Sequence, residues 1–153
     1  MKLISHRGNL YGPEPEYENK KEYIEEAIEE GFEVEVDVWV DPYTQKAYLG
    51  HDSAEEEVEL KWIVEKRNDL WIHCKNLYAL YAFAVYKDGK MFNVFYHQID
   101  DFTLTSKNFI WTFPNNKVTD KSVIVCQSLT ETNKYFKQNK AFGICSDFVG
   151  LMI

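Results

Sequence analysis

Two carboxylates spaced two residues apart, four histidines and two isolated cations define the chemistry open to this chain. The carboxylates are Glu35 and Asp37, within EVEVDVWV at residues 33–40. A strand of period two turns Val34, Val36, Val38 and Val40 to one side and Glu33, Glu35, Asp37 and Trp39 to the other. On a shared side, Glu35 and Asp37 could hold one hard divalent cation together with water and substrate oxygens. A solvated acidic face is the alternative reading of the same residues. The histidines are His6, His51, His73 and His97. An imidazole titrates near pH ~6.5, so two of them can deliver and remove protons close to neutrality. Arg7 offers a planar fork to a phosphate, and Lys75 a more compact charge. Carboxylates, a cation, paired histidines and bases together suit phosphodiester chemistry. A zinc hydrolase with His73 in a histidine-rich site is the chemical rival.

The elements that must position these groups alternate in type. KLISHR reads as a first strand, followed by a loop with two glycines and two prolines, GNLYGPEPEYEN. KKEYIEEAIEEGF reads as a helix with Tyr23, Ile24, Ala27 and Ile28 on one face. Asn19 and Glu22 are spaced as a capping box for it, and Gly31 suits its end. The acidic strand comes next, then the turn DPYTQK and a short return strand, AYLGHD. VELKWIVEKR reads as a helix with Leu60, Ile63 and Val64 inward. DLWIHCKN reads as a strand, LYALYAFAVY as an apolar helix and KMFNVFYHQ as a strand. NFIWTFP, SVIVCQ and AFGICSD are strand-like with short connections, and TETNKYFKQN is the one clear helix among them.

This order implies parallel βα units. Each histidine falls at or near the end of an expected strand, and strand ends converge on the ligand face of such domains. The fold class expected is α/β. A full eight-stranded barrel needs about 250 residues, so 153 residues predict a trimmed TIM-like (β/α) barrel with reduced outer helices in its second half. Residues 1–153 are expected to form a single domain.

Bulk properties narrow the partners. Seventeen basic against twenty-five acidic residues give a net charge of -8, which disfavours a general nucleic-acid binder. Apolar content of 45% supports a core. Cys74, Cys126 and Cys145 lack metal-ligand spacing and sit in apolar runs, as buried free thiols do. They fit a reducing, cytoplasmic compartment. The opening MKLISHRG is too short and polar for a secretory leader, and no apolar run is long enough to span a membrane. Oligomeric state is not legible.

HRG at residues 6–8, PEPEYEN at 13–19, EVD at 35–37 and GHD at 50–52 resemble the motifs of glycerophosphodiester phosphodiesterases. Glu18 and Asn19 occupy the last two places of a stretched Pro-Glu-Asn motif. GICSD at 143–147 resembles the family's closing strand and brings in Asp147. The likeness is clear over residues 4–52. LWIHCKN, FYHQIDDFTLTS, IWTFP and GICSDF extend it over nearly the whole chain, as in a short subgroup of that superfamily.

The resemblance implies His6 and His51 as the catalytic pair, one as base or nucleophile and the other as acid. An adjacent substrate hydroxyl or a histidine could make the attack. It implies Glu35 and Asp37 as ligands of Mg²⁺ or Ca²⁺, with phosphate contacts from Arg7 and Lys75. The implied substrate is a small alcohol phosphodiester such as a glycerophosphodiester, a lipid-metabolism substrate. One position departs from the pattern: the family's third metal carboxylate is replaced by His73, an uncertain third ligand that suits Mn²⁺ or Zn²⁺ better. That departure leaves a second reading open, a non-catalytic domain that binds a phosphorylated small molecule or a protein partner.

Supporting roles are less determined. Asp52 is placed to orient His51 or support its loop. His97 could contact substrate or fill the barrel mouth, and Trp111 could be a substrate platform or a core or rim aromatic. Asp147 could neutralise a positive pocket or cap a loop. Glu55, Glu56 and Glu57 read as a solvated helix start. Tyr78, Tyr81 and Phe83 are expected to pack a helix on the sheet.

Overall fold

The computed structural model describes residues 1–86 and 90–153. The first strand, β1 (Lys2–His6), leads through a loop to α1 (Lys21–Glu29) and then to β2 (Glu33–Val40). A hairpin follows, made of β3 (Ala47–Leu49) and β4 (Glu56–Val58). Next come α2 (Leu60–Glu65), β5 (Leu70–Cys74), α3 (Leu77–Val85) and β6 (Asn93–Phe95). The second half holds β7 (Phe102–Leu104), β8 (Ile110–Thr112), β9 (Ser122–Cys126), α4 (Leu129–Gln138) and β10 (Gly143–Ser146). A 3₁₀ turn over Val149–Met152 closes the order.

All the strands belong to one mixed sheet, so the fold is α/β. β6, β5, β2, β1, β10, β9 and β8 run parallel in that spatial order. β7 lies antiparallel on β8. β2 is long enough to serve three neighbours. Glu33, Val34 and Glu35 pair with β1, the stretch from Val34 to Val38 pairs with β5, and Val38, Trp39 and Val40 pair with β3. β4 extends that hairpin.

The expected closed barrel is corrected by this topology. Among the described residues no strand ladder joins β6 to β7 or β8. Among the described residues β6 pairs with β5 alone, and the chain beyond it turns back to pair β7 with β8. The gap is bridged by scattered bonds. The Ser106 backbone N–H donates to the Val94 carbonyl at 2.9 Å, the Val94 N–H donates to Ser106 Oγ at 2.9 Å, and the Thr103 hydroxyl donates to the Tyr96 carbonyl at 3.1 Å.

The sheet has two buried faces. On the helix side, Val34, Val36 and Val38 pack with Ile24, Ala27, Ile63 and Phe83. On the other, Ile4, Trp71, Phe95, Trp111, Val123 and Cys145 converge from β1, β5, β6, β8, β9 and β10. The Phe95 and Trp111 rings stack with centroids 4.4 Å apart. All three cysteines are free and buried. No helix of the described residues is long and apolar enough to cross a membrane.

Local expectations fare unevenly. α4 is capped by Ser128, whose Oγ accepts the Glu131 N–H at 3.2 Å, and α3 by Asn76, whose Oδ1 accepts the Ala79 N–H at 2.9 Å. α1 has no such cap: Lys20 precedes it and the Asn19 side chain goes elsewhere. The acidic run 55–57 does not start a helix. Glu56 and Glu57 lie in β4, and Glu57 pairs with Lys46 at 2.9 Å. In α2 it is Trp62 and Ile63 that are buried, with Leu60 exposed. Phe83 packs inward, whereas Tyr78 and Tyr81 are exposed, 58% and 72%.

Candidate metal centre and its cavity

Trp39 is half-buried, and behind it the acidic side of β2 is covered. Glu35 is 3% exposed and Asp37 is fully buried. β5 lies beside β2 with His73 opposite Asp37 in register, so strand pairing alone brings imidazole and carboxylates together. His73 Nδ1 is 3.0 Å from Asp37 Oδ1 and 3.6 Å from Glu35 Oε1. One ligand atom from each of the three lies within 4.8 Å of the others. Among the described residues Glu35 Oε2 and Asp37 Oδ1 are buried without a hydrogen-bond donor. A buried carboxylate oxygen left so is costly unless a cation completes it. The cluster could coordinate a divalent cation, as in the broad class of metal-dependent hydrolases.

The strand ends and turns supply the surrounding groups. Arg7 follows β1 in the left-handed region, φ 57°, where its N–H donates to the Glu35 carbonyl at 2.9 Å. Its Nε stands 3.0 Å from Asp37 Oδ2 as an ion pair out of hydrogen-bond alignment, and its Nη1 donates to Glu18 Oε2 at 3.1 Å. Asn19 is also left-handed, φ 58°. Its amide donates to Asp37 Oδ2, and its Oδ1 accepts the Asp37 N–H, both at 2.9 Å. Lys75 Nζ lies 3.6 Å from Asp37 Oδ1.

Gly50, at φ +147°, turns the chain from β3 to His51, and a Cβ there would sit 2.0 Å from the Ser53 carbonyl oxygen. Only glycine fits that approach. His51 Nδ1 lies 2.7 Å from Arg7 Nη2 and 3.2 Å from Asp37 Oδ2. A guanidinium can only donate and an ionised carboxylate only accept, so Nδ1 accepts from Arg7 in one tautomer and donates to Asp37 in the other, and Arg7 Nη2 is also 3.4 Å from Nε2. Asp52 is 93% exposed along its side chain, with Oδ1 3.7 Å from that Nε2.

His6 ends β1. Its Nδ1 lies 2.8 Å from Asp147 Oδ1, and its Nε2 lies 3.9 Å from Glu35 Oε2. Burial pushes the His6 imidazole down, but the bond to Asp147 and the charge of Glu35 outweigh it, and the net shift is upward. Burial would raise Asp147, yet the bond from His6 holds its carboxyl below the usual range. Asp147 is therefore the acceptor and His6 Nδ1 the donor, which leaves the Nε2 lone pair free. Burial would likewise raise Asp37. Its contacts with His51, His73 and Arg7 hold it well below the ordinary value instead. His73 moves from 6.5 to about 9, because contact with Asp37 and Glu35 outweighs its burial.

One cavity of about 600 Å³ joins these groups. His6, Arg7, Glu35, His51, His73, Lys75, His97, Trp111 and Asp147 all line it. Of the residues singled out from sequence, Asp37 lies just beneath this lining. Glu18 and Asn19 stand behind it, bonded to Arg7 and Asp37, and Asp52 is at the surface. His97 lies past β6. Its carbonyl accepts His73 Nε2–H at 3.1 Å, and its Nδ1 bonds Asp100 Oδ2 at 2.9 Å. Trp111 belongs to both the inner apolar cluster and the cavity wall.

Asn9 joins the site without any motif or spacing that marks it. Fully buried, it donates from one amide to Glu18 Oε1 at 2.9 Å and Asp147 Oδ1 at 2.8 Å. It thus ties the supports of Arg7 and His6 together. Gln98 and Gln127 add uncharged polar lining. No family model matches this chain, and neither a curated protein nor a solved structure does.

Proposed function

We propose that the protein is a metal-dependent phosphodiester hydrolase acting on a small alcohol phosphodiester, with a glycerophosphodiester the substrate that its motifs favour. The observation that carries this reading is the pair of donorless buried oxygens on Glu35 and Asp37, beside a cavity shared by two imidazoles and two cations. Motif likeness to glycerophosphodiester phosphodiesterases supports it. So does the convergence of strand side chains on one inner cluster, which suits a trimmed, open β/α barrel.

Glu35, Asp37 and His73 would hold the divalent cation, for which Mg²⁺ and Ca²⁺ are the family default. When bound, such an ion neutralises charge that develops on phosphate oxygens. Arg7 and Lys75 would orient the non-bridging oxygens. His6 presents a free Nε2 lone pair to the cavity and would take the proton of the attacking group or attack directly. Neutralising Glu35 would lower the His6 affinity for its own proton. His51 would give a ring proton to the leaving alcohol. Asn9, Glu18, Asn19 and Asp147 would fix these groups by their bonds, and Asp52 would steady His51. The cavity volume fits a small substrate.

Steady-state hydrolysis of a panel of small phosphodiesters with Mg²⁺, Ca²⁺ or Mn²⁺ tests this reading. His6→Ala and His51→Ala should each lose roughly 10²- to 10⁴-fold in turnover. A diester with a good leaving group should rescue His51→Ala in part and leave His6→Ala slow. A second reading, a binding domain without turnover, is favoured by one observation: Arg7 is already engaged by Asp37, Glu18 and His51. Phosphodiester binding without hydrolysis, unchanged in His51→Ala, would select it.

A further inference from the structure

The third donor of the cluster decides which ions it prefers, and that donor is a nitrogen held in place from behind. His73 Nε2 faces the His97 backbone carbonyl at 3.1 Å. A carbonyl only accepts, so Nε2 carries the hydrogen and the lone pair of the neutral ring is on Nδ1. Nδ1 is the atom turned to Asp37 Oδ1 and Glu35 Oε1, at 3.0 and 3.6 Å. The ring cannot readily turn away, because it stacks on Phe95 with centroids 5.0 Å apart and planes within 10°. A backbone carbonyl on the far nitrogen is the support that metal-bound imidazoles commonly have.

We infer that this site selects a borderline transition-metal ion, of the class of Fe²⁺, Co²⁺ and Zn²⁺, over Mg²⁺ and Ca²⁺, with His73 Nδ1 as the selecting ligand. The inference rests on the reading of Glu35, Asp37 and His73 as a cation site. Two facts make the nitrogen decisive. Both carboxylates are buried with one oxygen each lacking a donor, so the cluster has charge to offer but few oxygens. Hard ions favour all-oxygen sets, whereas imidazole suits the transition series. The substitution of a carboxylate by His73 in the motif thus becomes a change of cofactor class rather than a lost ligand.

The test is calorimetric titration of chelator-stripped protein with Co²⁺ alone and with Mg²⁺ alone. Wild type should favour Co²⁺ by about 100-fold. His73→Glu, which restores an oxygen donor, should narrow that ratio by about tenfold or more. Independently, the Mn²⁺-loaded wild type should show nitrogen coupling in its electron spin-echo spectrum, and His73→Gln should lose it. If His73→Glu fails to fold, the wild-type spectrum still decides. A ratio unchanged in a folded His73→Glu, or a Mn²⁺ spectrum without nitrogen coupling, overturns the selectivity and leaves the cation site standing. Failure of every ion to bind overturns the site and the selectivity together.

Discussion

Asn19 and His73 show what single residues contribute here. Asn19 has both a left-handed backbone and a side chain that grips Asp37 twice. Its spacing from Glu22 points to a helix cap, because Asn is a common capping residue. Nothing local signals that the chain brings it instead to a carboxylate eighteen positions away. Asn19→Gly keeps the backbone conformation and removes the grip. It should cost about 2–3 kcal/mol, since hydrogen bonds to a buried charge are lost. Urea unfolding with an unchanged denaturant slope checks this, and a loss below about 0.5 kcal/mol would contradict it.

His73 gives the pH dependence at this scale. Its folded pKa is raised from 6.5 to about 9 by Asp37 and Glu35 against the opposing effect of burial. In metal-free protein the resulting stability is fully present below pH 6.5 and is lost as pH rises through 9. The loss should be on the order of 3 kcal/mol, read from urea midpoints at either end of that window in chelator. His73→Gln should show a much flatter profile. A wild-type profile as flat as that of the variant would refute the link. That Glu35 and Asp37 share one side was legible in their strand periodicity, whereas His73 was joined to them by its strand-end position and the motif resemblance. Their burial was not legible, because it depends on the cover that β5 and the loop after β1 provide.

At the scale of elements, turns do the positioning. Gly50 sets His51 beside Arg7 in a bend that a Cβ would bring within 2.0 Å of a backbone oxygen. Gly31 ends α1 at φ +94° with open space around its absent Cβ. Gly31→Ala should therefore cost only the left-handed penalty, about 1–2 kcal/mol. Gly50→Ala must also move backbone and should cost more. Paired thermal and urea unfolding of the two variants decides, and equal costs would mean that the 50–53 bend adjusts freely. Alternating segment types revealed the main parallel strands. β4 was hidden because three consecutive glutamates favour solvent rather than strand by propensity. Its pairing with β3 and the Glu57–Lys46 ion pair override that preference. The helical pattern of α3 was plain, but its uniformly apolar sequence could not say which face meets the sheet, so Tyr78 and Tyr81 turn out exposed.

For the whole molecule, the α/β class followed from the alternation, while closure did not. Among the described residues β6 pairs with β5 alone, and β7 is committed to β8. What the open sheet does achieve is to bring groups from β1, β2, β5 and the turns between them onto one cavity. The placement of Glu35 and Asp37, charged yet buried within an apolar sheet, is the feature on which the account depends. The direct measurement is calorimetric titration of Mg²⁺, Ca²⁺ and Mn²⁺ into wild type and into the Glu35→Gln, Asp37→Asn double variant, both first shown to be folded. The account predicts saturable heat for at least one ion in wild type and none in the variant. Equal heats in the two proteins, or no binding of any divalent ion to wild type, would contradict it.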